Sequence, residues 1–460
     1  MTDSSSRDTA VAGPAIPADT DAPSAGPPIG PGPAADGAGT SPPTTPGAPA
    51  GVDEAGTKIP RESLQLAASM FLLIAATNIL TPLLPDVRDD FGVSITTAGL
   101  IVGSYGLARL AVDLPAGFLA DTVGPRRLSV IAVIVLIGAS FVGLLSPTVE
   151  TLIAARIGSG LAVGVLATVV LSALSSTASP ANRGKVMSLF HVANNTGIAL
   201  YPMVGGLIGL AVGWRATFAV TAVLAVIAAL ILLPLLLRLD LSGSNGGGKG
   251  GGDSRRVLHG RQRRIAIAVT DFGVVANMIH RHGVRNTILP LYAATALGLG
   301  GVSIATAIAL MSITGLLVAT PGGILGDRLG RRRVITAGLA AVAVGDLVFI
   351  LTGDLLSFLL VSAAIGLGDF FTSSQTALLS EVVPPSERTK VLAGYRFSAD
   401  LGALIGPVLL AAVMDAAGAP MAIIVAAAIL LSASLAARLG VPATSTPDGR
   451  PSVARSQESP

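Results

Sequence analysis

Long apolar segments alternate with short polar connections from about residue 64 to residue 440. Twelve of these segments are long enough to cross roughly 30 Å of hydrocarbon as α-helices. We place their centres at Ile74, Gly106, Val135, Leu161, Gly197, Val226, Ala276, Ile313, Val342, Gly366, Leu404 and Ala427. The pattern predicts an all-α membrane protein with twelve transmembrane helices.

The polar stretches outside the apolar segments divide the chain into five predicted parts. Tails rich in Pro and Ala, over residues 1–62 and 441–460, cannot bury a core, so we expect both to be disordered. A linker rich in Gly and Arg, over residues 241–263, separates a first six-helix bundle over residues 63–240 from a second over residues 264–440.

The charges in the loops predict how the helices are oriented. The loops after even-numbered segments and the linker carry many arginines, whereas the loops on the other side contain only Arg88 and Arg215. Because basic loops stay on the cytoplasmic side, we expect both termini and the linker to be cytoplasmic. The bias towards Ala, Gly and Val is typical of a GC-rich genome, and we expect a bacterial plasma membrane.

Composition excludes several classes of protein. Charged residues make up 12% of the chain and hydrophobic residues 51%, whereas about a quarter of a soluble domain is charged. There is no cysteine, and the four histidines include no pair at the spacing of a helical zinc site, so we expect no metal and no cofactor. The basic residues lie in short loops, which favours membrane topology over a nucleic-acid partner. We find neither an enzyme's catalytic constellation nor the nucleotide domain of an ATP-driven pump.

Two short phrases each occur twice in the chain. The first phrase consists of Gly117, Asp121, Gly124, Arg126 and Arg127, and later of Gly323, Asp327, Arg328, Gly330, Arg331 and Arg332. The second consists of Gly197, Pro202, Gly205 and Gly206, and later of Gly402, Gly406 and Pro407. The copies lie 206 and 205 positions apart, which indicates a tandem duplication and predicts two six-helix pseudo-repeats, as in many secondary transporters.

The first phrase resembles the loop signature of the major facilitator superfamily, and the resemblance extends over essentially all of residues 64–440. Thr122 and Pro125 depart from that signature in the first copy, and the second copy matches it better. The aspartate of each copy can pair with nearby arginines and with the positive N-terminus of another helix. We interpret the two loops as a latch between the halves of the protein. The alternative is a topology signal with surface salt bridges worth about 1 kcal/mol or less.

Two motifs bear on the direction of transport. Arg156 followed by Gly160 resembles the buried arginine motif of proton-coupled members. The phrase that begins at Gly197 resembles the motif of antiporters, with Tyr201 in place of a glycine. The similarity to the drug–proton antiporter group implies a monomer that exports small, mostly apolar compounds in exchange for protons by alternating access. The proline and glycines of the second phrase are expected to permit bending and close packing.

Ionisable residues within the predicted spans are functional candidates because they are costly in a membrane. Arg109 and Asp113 share one helix face, as do Arg396 and Asp400, so each pair is expected to neutralise itself. Arg156 has no partner in its own span and is expected to face a cavity. We interpret Asp113 or Asp400 as a proton carrier that binds its proton when the pair opens, while a fixed structural clip is the alternative.

Further polar residues in the spans are candidates for substrate binding. They are Asn78, His191, Asn195, Asp271, His280, Arg285 and Asp369. Asp346 belongs to a span that the resemblance places outside the cavity, and we interpret it as structural.

The leading functional hypothesis is proton-driven export. One alternative is a proton-coupled importer of a polar or anionic nutrient, which the arginines of the seventh span and Arg396 would suit. Another is a membrane sensor or scaffold that kept the fold without transport. The expected partners are a small-molecule substrate, protons and the lipid bilayer.

Overall fold

The structure is a computed structural model, and it describes residues 59–179, 182–239, 258, 260–384 and 386–441. The predicted tails lie almost entirely outside the described residues, as does most of the predicted linker. Within the described residues the chain is helical and contains no strand.

We number the helical spans α1 to α12 in chain order. The first half consists of α1 (Arg61–Leu73, Ala75–Asn78, Thr81–Leu83 and Leu84–Phe91), α2 (Ile95–Val123), α3 (Pro125–Leu144), α4 (Val149–Thr177), α5 (Arg183–Val212) and α6 (Ala216–Arg238). The second half begins with α7 (Gly260–Met278, a π-helical Ile279–Ile288 and Leu289–Leu297), α8 (Gly301–Leu329), α9 (Arg331–Phe349) and α10 (Leu355–Gly368, Asp369–Phe371 and Thr372–Val382). The last helical stretch, Arg388–Gly440, is divided at Gly418 into α11 and α12.

Gly418 separates the antiparallel helices α11 and α12. Its φ of 83° is not helical and favours a residue without a side chain.

In the described part of the chain, nine segments are long and apolar enough to cross a membrane. The segment Lys390–Gly440 is one of these nine and contains both α11 and α12. The spans α7 and α9 are outside the nine, and both contain several charged residues. The prediction of an all-α membrane fold is confirmed, and the helices are consistent with twelve spans.

Three of the spans are not continuous α-helices. In α1 the helix is interrupted near Asn78 and continues through a 3₁₀ turn that contains Pro82. In α10 a 3₁₀ turn begins at Asp369. In α7 ten residues, Ile279–Ile288, are π-helical. Such departures from α-geometry expose backbone groups or rotate side chains and are frequent at functional sites.

The two halves meet mainly through α2 against α11 and α5 against α8. We call the end of the bundle at Gly124 and Gly330 the linker face, and the other end the opposite face. Close contacts between the halves lie towards the opposite face: a methyl group on Gly99 would lie 2.6 Å from the Pro407 carbonyl oxygen, and one on Gly206 would lie 2.9 Å from that of Gly301. Glycine is therefore required for helices of different halves to approach this closely.

At the opposite face, Asp415 near the end of α11 joins the second half of the protein to the first half. Its carboxylate accepts hydrogen bonds from the backbone N–H of Ile95 at 3.2 Å and of Thr96 at 2.7 Å, and from the Thr96 hydroxyl at 2.5 Å. The first N–H groups of a helix have no partner inside that helix, so an acidic side chain satisfies them. Asp415 thus caps α2 from the other half of the protein, a role that the sequence analysis does not find.

Candidate functional site

Arg156 of α4 lies against the interruption in α1. Its guanidinium donates to the carbonyl oxygens of Ala76 at 2.7 Å and Thr77 at 3.4 Å. The same group sits 4.8 Å from the centre of the Tyr105 ring, and the Tyr105 hydroxyl lies 2.5 Å from that of Thr77. Carbonyl dipoles and an aromatic face offset the cost of burying this cation. The interruption of α1 supplies these carbonyls, because an intact helix would use them internally.

Two glycines of α4 allow α2 to pack directly on that helix. A methyl group on Gly160 would lie 2.6 Å from the carbonyl oxygen of Tyr105, and one on Gly164 would lie 3.3 Å from the Asp113 carboxylate. Small residues of this kind let membrane helices approach closely. The contact fixes Tyr105, Arg109 and Asp113 along one side of α4.

A cavity that we call the first opening lies between α1, α2, α4 and α7. It encloses about 370 Å³ of space, part of which is open to solvent. Its apolar wall consists of Leu80, Leu84, Ile101 and Val102, and its polar wall includes Tyr105, Arg156, His282 and Asn286. Arg156 therefore faces a cavity, as its lack of a partner in its own span led us to expect.

The charged pairs of α2 and α11 do not behave alike. Arg109 and Asp113 form the expected ion pair, with 3.8 Å between Nη2 and Oδ2. Arg396 does not come within 4.0 Å of Asp400 in the described structure, so the predicted neutralisation within α11 is wrong for this conformation. Asp400 instead lies beside Asp113 of the other half, which acts on it together with Arg109. The i, i+4 spacing misleads here because these two groups of α2 act on Asp400 more strongly than Arg396 does.

The proximity of two carboxyl groups has a direct chemical consequence. Two neighbouring ionised carboxylates repel each other, so a hydrogen bond between them needs a proton on one of the two. Arg109 acts electrostatically on both carboxyl groups. The cluster of Arg109, Asp113 and Asp400 therefore balances its charge when it holds one proton.

His280 of α7 is directed away from the cavity. Its Nδ1 lies 2.9 Å from Oδ2 of Asp346 in α9, and the two side chains are 2% and 0% exposed. Oδ1 of Asp346 has no hydrogen-bond partner among the described residues. The prediction of His280 as a substrate ligand does not fit this position. Asp346, interpreted from sequence as simply structural, is the partner of a buried titratable group.

A second opening, of about 450 Å³, lies between α5, α7, α8 and α10. Its polar wall includes Asn195, Arg281, Ser312, Asp369 and Thr372. Asn195 and Asp369 were expected at a substrate site, and both face this space. Asp369 begins the 3₁₀ turn of α10, and its Oδ1 has no hydrogen-bond partner in the part of the chain that is described.

The remaining substrate candidates are dispersed. Asn78 is buried in α1 near the Arg156 site, and the Oδ1 of Asp271 is buried without a described hydrogen-bond partner. His191 is exposed, with its ring edge-on to Phe190 at 5.6 Å. Arg285 is 4% exposed and makes no hydrogen bond or ion pair with a described residue, although Asp369 acts on it at longer range.

The glycines and the proline of the repeated second phrase lie at close helix contacts. Gly197 and Gly205 face α1, where side chains would collide with Ile74 and with the carbonyl of Ile79. Pro202 is inside α5 and is buried.

The later copy of this phrase packs α11 against α7. Methyl groups on Gly402 and Gly406 would lie within 3 Å of backbone oxygens of Val275 and Ile279. The phrase therefore sets helix spacing in both halves.

The second copy of the loop phrase is tied to its own half. Arg331 pairs with Asp327 and with Glu381 of α10 at 3.1 Å, and it donates to the Gly323 carbonyl at 3.2 Å. Arg328 is exposed and Arg332 is partly exposed. The described partners of Arg331 all belong to the second half.

The first copy of the loop phrase is similarly local. Arg126 donates to the carbonyl oxygens of Leu236 at 2.6 Å and Leu237 at 2.9 Å, at the end of α6. Arg127 is exposed, and the side chain of Asp121 lies outside the described structure. In this conformation the described contacts of the two loops do not connect the halves.

Comparison with known proteins places this arrangement in a family. Residues 66–279 and 281–460 match the sequence model of the Major Facilitator Superfamily, which covers both bundles. The chain belongs to the Major Facilitator Superfamily. Members of this superfamily are multi-pass membrane transporters of small molecules rather than enzymes, and the resemblance noted in the sequence is confirmed.

Several relatives within the superfamily are exporters. A stretch of 151 residues is 31% identical to the cephamycin export protein CmcT of Amycolatopsis lactamdurans, and covers 33% of this chain and 31% of that protein. A stretch of 165 residues is 28% identical to the drug efflux pump JefA of Mycobacterium tuberculosis, and covers 35% and 32% of the two chains. The alignments thus span about a third of these relatives.

Solved structures share the superfamily fold. A mutant of the peptide transporter POT matches with a TM-score of 0.69 and 16% identity, over 82% of this chain and 94% of that one. A bacterial homolog of the human lysosomal transporter Spinster, solved in an inward-facing and unoccupied conformation, matches with a TM-score of 0.67 and 14% identity, over 82% and 96%. At these identities the likeness concerns the fold alone.

Proposed function

We propose that this chain exports small, mostly apolar compounds in exchange for protons by alternating access. The observation that carries the proposal is the carboxyl pair of Asp113 and Asp400, one from each half. The pair lies one to two helical turns closer to the linker face than the contact of Gly106 with Ala403, where α2 and α11 also approach closely. A group that binds a proton only while the halves touch couples proton binding to conformation.

The direction of coupling follows from where the halves touch. With the linker on the cytoplasmic side, contact near the opposite face makes the described conformation inward-facing. A proton shared by Asp113 and Asp400 stabilises this state. The change to the outward-facing state also shifts α2 along α11, so that the carboxyl groups separate. Asp113 then keeps Arg109 as its ionic partner, and the proton is no longer shared. A proton arriving from outside therefore returns the transporter to the inward-facing state.

The first opening is well suited to the exported compound. Its wall of aliphatic side chains offers apolar contact, while Tyr105 and Arg156 orient any polar group. Tyr105 also interacts electrostatically with Arg109. A compound that displaces Tyr105 thus disturbs the partner of Asp113, which lets substrate and proton compete through one linked set of side chains.

The remaining sequence predictions, on topology, organisation and the matching position of the two loops in the halves, are also part of the proposal. Both termini are cytoplasmic, the chain is organised in the five predicted parts, and the protein works as a monomer in a bacterial plasma membrane. The loops around Asp121 and Asp327 join the halves at the linker face when that face closes. In the inward-facing state the same loops are bound within their own halves, as Arg331 is to Glu381.

The proposal is tested by accumulation of a fluorescent lipophilic dye in an efflux-deficient host that expresses the chain. We expect lower accumulation than with the empty vector, and an uncoupler should restore it. Asp113→Asn and Asp400→Asn should accumulate dye as the vector does, while Asp89→Asn, at a side chain that is 70% exposed, should behave as wild type. Full efflux by both membrane-inserted variants would contradict the role of the carboxyl pair.

A second candidate, import of a polar or anionic nutrient with protons, is favoured by two buried cations. Arg285 is buried without a described ion-pair partner, and Arg156 is bound by carbonyl oxygens rather than by a carboxylate. An anion beside these groups would favour protonation of nearby carboxyl groups, so that anion and proton would move together. Dye accumulation equal to the vector control, with uptake of an anionic nutrient, would favour import.

A further inference from the structure

The His280–Asp346 pair is separate from the carboxyl pair used above. It lies wholly within the second half, between α7 and α9, and both side chains are almost completely buried. A purely structural contact at this depth is better served by apolar side chains, because a buried ionic or polar pair gains little net stability. The pair therefore calls for an explanation other than packing.

The two carboxyl oxygens of Asp346 differ in their hydrogen bonding, and this difference favours an exchangeable proton. Oδ2 of Asp346 is bonded to Nδ1 of His280, whereas Oδ1 has no partner among the described residues. A charged carboxylate would leave part of its charge on this bare buried oxygen, which is costly. A neutral carboxyl group that donates from Oδ2 to Nδ1 leaves only an uncharged carbonyl oxygen unsatisfied. Burial and geometry together favour a proton held between Asp346 and His280.

A further carboxyl group lies on the neighbouring helix α10. The 3₁₀ turn that begins at Asp369 packs against α9, and Asp369 also lines the second opening. Its own Oδ1 is without a described partner. Other titratable or charged groups on the packed helices include Asp271, Arg281, His282, Arg285 and Tyr292 of α7, Tyr395, Arg396 and Asp400 of α11, and Arg331, Arg332 and Arg333 at the linker-face end of α9. Asp369 thus connects the second opening to a helix that carries one member of the pair.

The π-helical segment of α7 connects the pair to the rocking of the halves. His280 of this segment faces α9, and Gly283 packs on α11, where a methyl group would lie 2.7 Å from the Gly406 carbonyl oxygen. His282 of the same segment faces the first opening, and the segment also contacts α2 of the other half. Movement of α2 and α11 therefore acts on the segment that positions His280.

We propose that His280 and Asp346 form a second proton-binding site, coupled to alternating access by the π-helical segment of α7. The coupling rests on the proposed proton-driven transport, whereas the binding of a proton by the pair does not. The transporter then moves one more proton per cycle than the Asp113–Asp400 pair supplies alone.

Proton binding is tested by NMR of the purified full chain labelled at its four histidines, with the His280 signal assigned through His280→Gln. Over roughly pH 5 to 9, we expect that signal to change with pH in the wild type and to change differently in Asp346→Asn. Asp113→Asn should leave this titration unchanged, which separates the second site from the proposed function. A His280 signal that stays constant over that range in a folded protein would overturn the proposal.

Coupling is tested by the proton-to-substrate ratio at zero net flux in proteoliposomes. The double variant His280→Gln with Asp346→Asn replaces the pair by two amides that still hydrogen-bond but do not titrate. We expect its ratio to be one proton lower than that of wild type. An unchanged ratio would show that the pair binds no transported proton, even if Asp113→Asn abolishes coupling.

Discussion

Removing the carboxylate of Asp415 should open the opposite face of the transporter. In the described conformation this side chain caps α2 from the other half through three hydrogen bonds, to the N–H groups of Ile95 and Thr96 and to the Thr96 hydroxyl. The contact exists only while the halves touch there. Asp415→Ala therefore destabilises the inward-facing state relative to the outward-facing one, whereas a cap within one half would not affect this balance.

The size of the effect follows from the energetics of helix capping. Replacing an N-terminal capping side chain by Ala costs about 0.5–2 kcal/mol. Because Asp415 is exposed, solvent screens its charge, and we take about 1 kcal/mol. Since 1.4 kcal/mol corresponds to a factor of ten, the ratio of inward-facing to outward-facing molecules should fall about five-fold. Asp415→Asn keeps one acceptor oxygen and should have a smaller effect.

Distance measurement between spin labels provides the assay, and the absence of cysteine makes labelling straightforward. Labels at Val123→Cys and Leu329→Cys, which are 39% and 45% exposed at the linker-face ends of α2 and α8, report opening of that face. The shorter distance should gain population in Asp415→Ala. The control is Asp354→Ala, which removes a cap that binds Ser357 of its own helix at 2.9 Å. Equal distance distributions for Asp415→Ala and wild type would refute the reasoning.

Two further predictions concern stability, measured as thermal unfolding of the purified protein. Gly205→Ala should destabilise the fold by about 1–3 kcal/mol, because the new methyl group meets the backbone carbonyl of Ile79. Gly138→Ala, whose methyl group meets nothing within 4 Å, should be neutral or stabilising, and equal losses for both would contradict the packing argument. His280→Ala should cost about 1–3 kcal/mol by leaving the Asp346 carboxyl group buried without its hydrogen-bond partner. Adding Asp346→Leu should recover much of the loss, and no recovery would show that the unpaired carboxyl group is not the cause.

The sequence predicts the parts of this protein that depend on local pattern. The apolar runs locate the helices because each span must satisfy its backbone hydrogen bonds internally in lipid. The glycines of the repeated phrase predict close helix contacts, and Gly205 and Gly406 lie at such contacts. Arg156, charged and without a partner in its own span, lines the first opening.

The sequence does not predict contacts between helices that are distant in the chain. Asp400 has Arg396 as its neighbour on the same helix face, yet it faces Asp113, which the packing of α2 on α11 brings close. His280 and Asp346 are 66 positions apart, and no local pattern relates them. In the sequence, Asp415 is an acidic residue near a loop with no sign of a special role. Only the folded structure shows that it contacts the start of α2.

The interruptions of the helices were also beyond sequence analysis. The break in α1 has prolines near it, but the carbonyls of Ala76 and Thr77 become available only because Arg156 of another helix reaches them. The π-helical segment of α7 carries no proline before Pro290, so its geometry depends on tertiary packing. Such features are set by the competition between local hydrogen bonding and contacts from neighbouring helices.

The central claim is that Asp113 and Asp400 carry a proton whose binding depends on the conformation of the two halves. Its most direct test is proton flux into proteoliposomes that contain a trapped pH-sensitive dye, recorded when an exported compound is supplied on the linker side. We expect substrate-dependent proton movement by wild type and by Asp89→Asn, and none by Asp113→Asn or Asp400→Asn, although both bind the compound. Substrate-dependent proton flux of wild-type size in the variant that lacks both carboxyl groups would contradict the account.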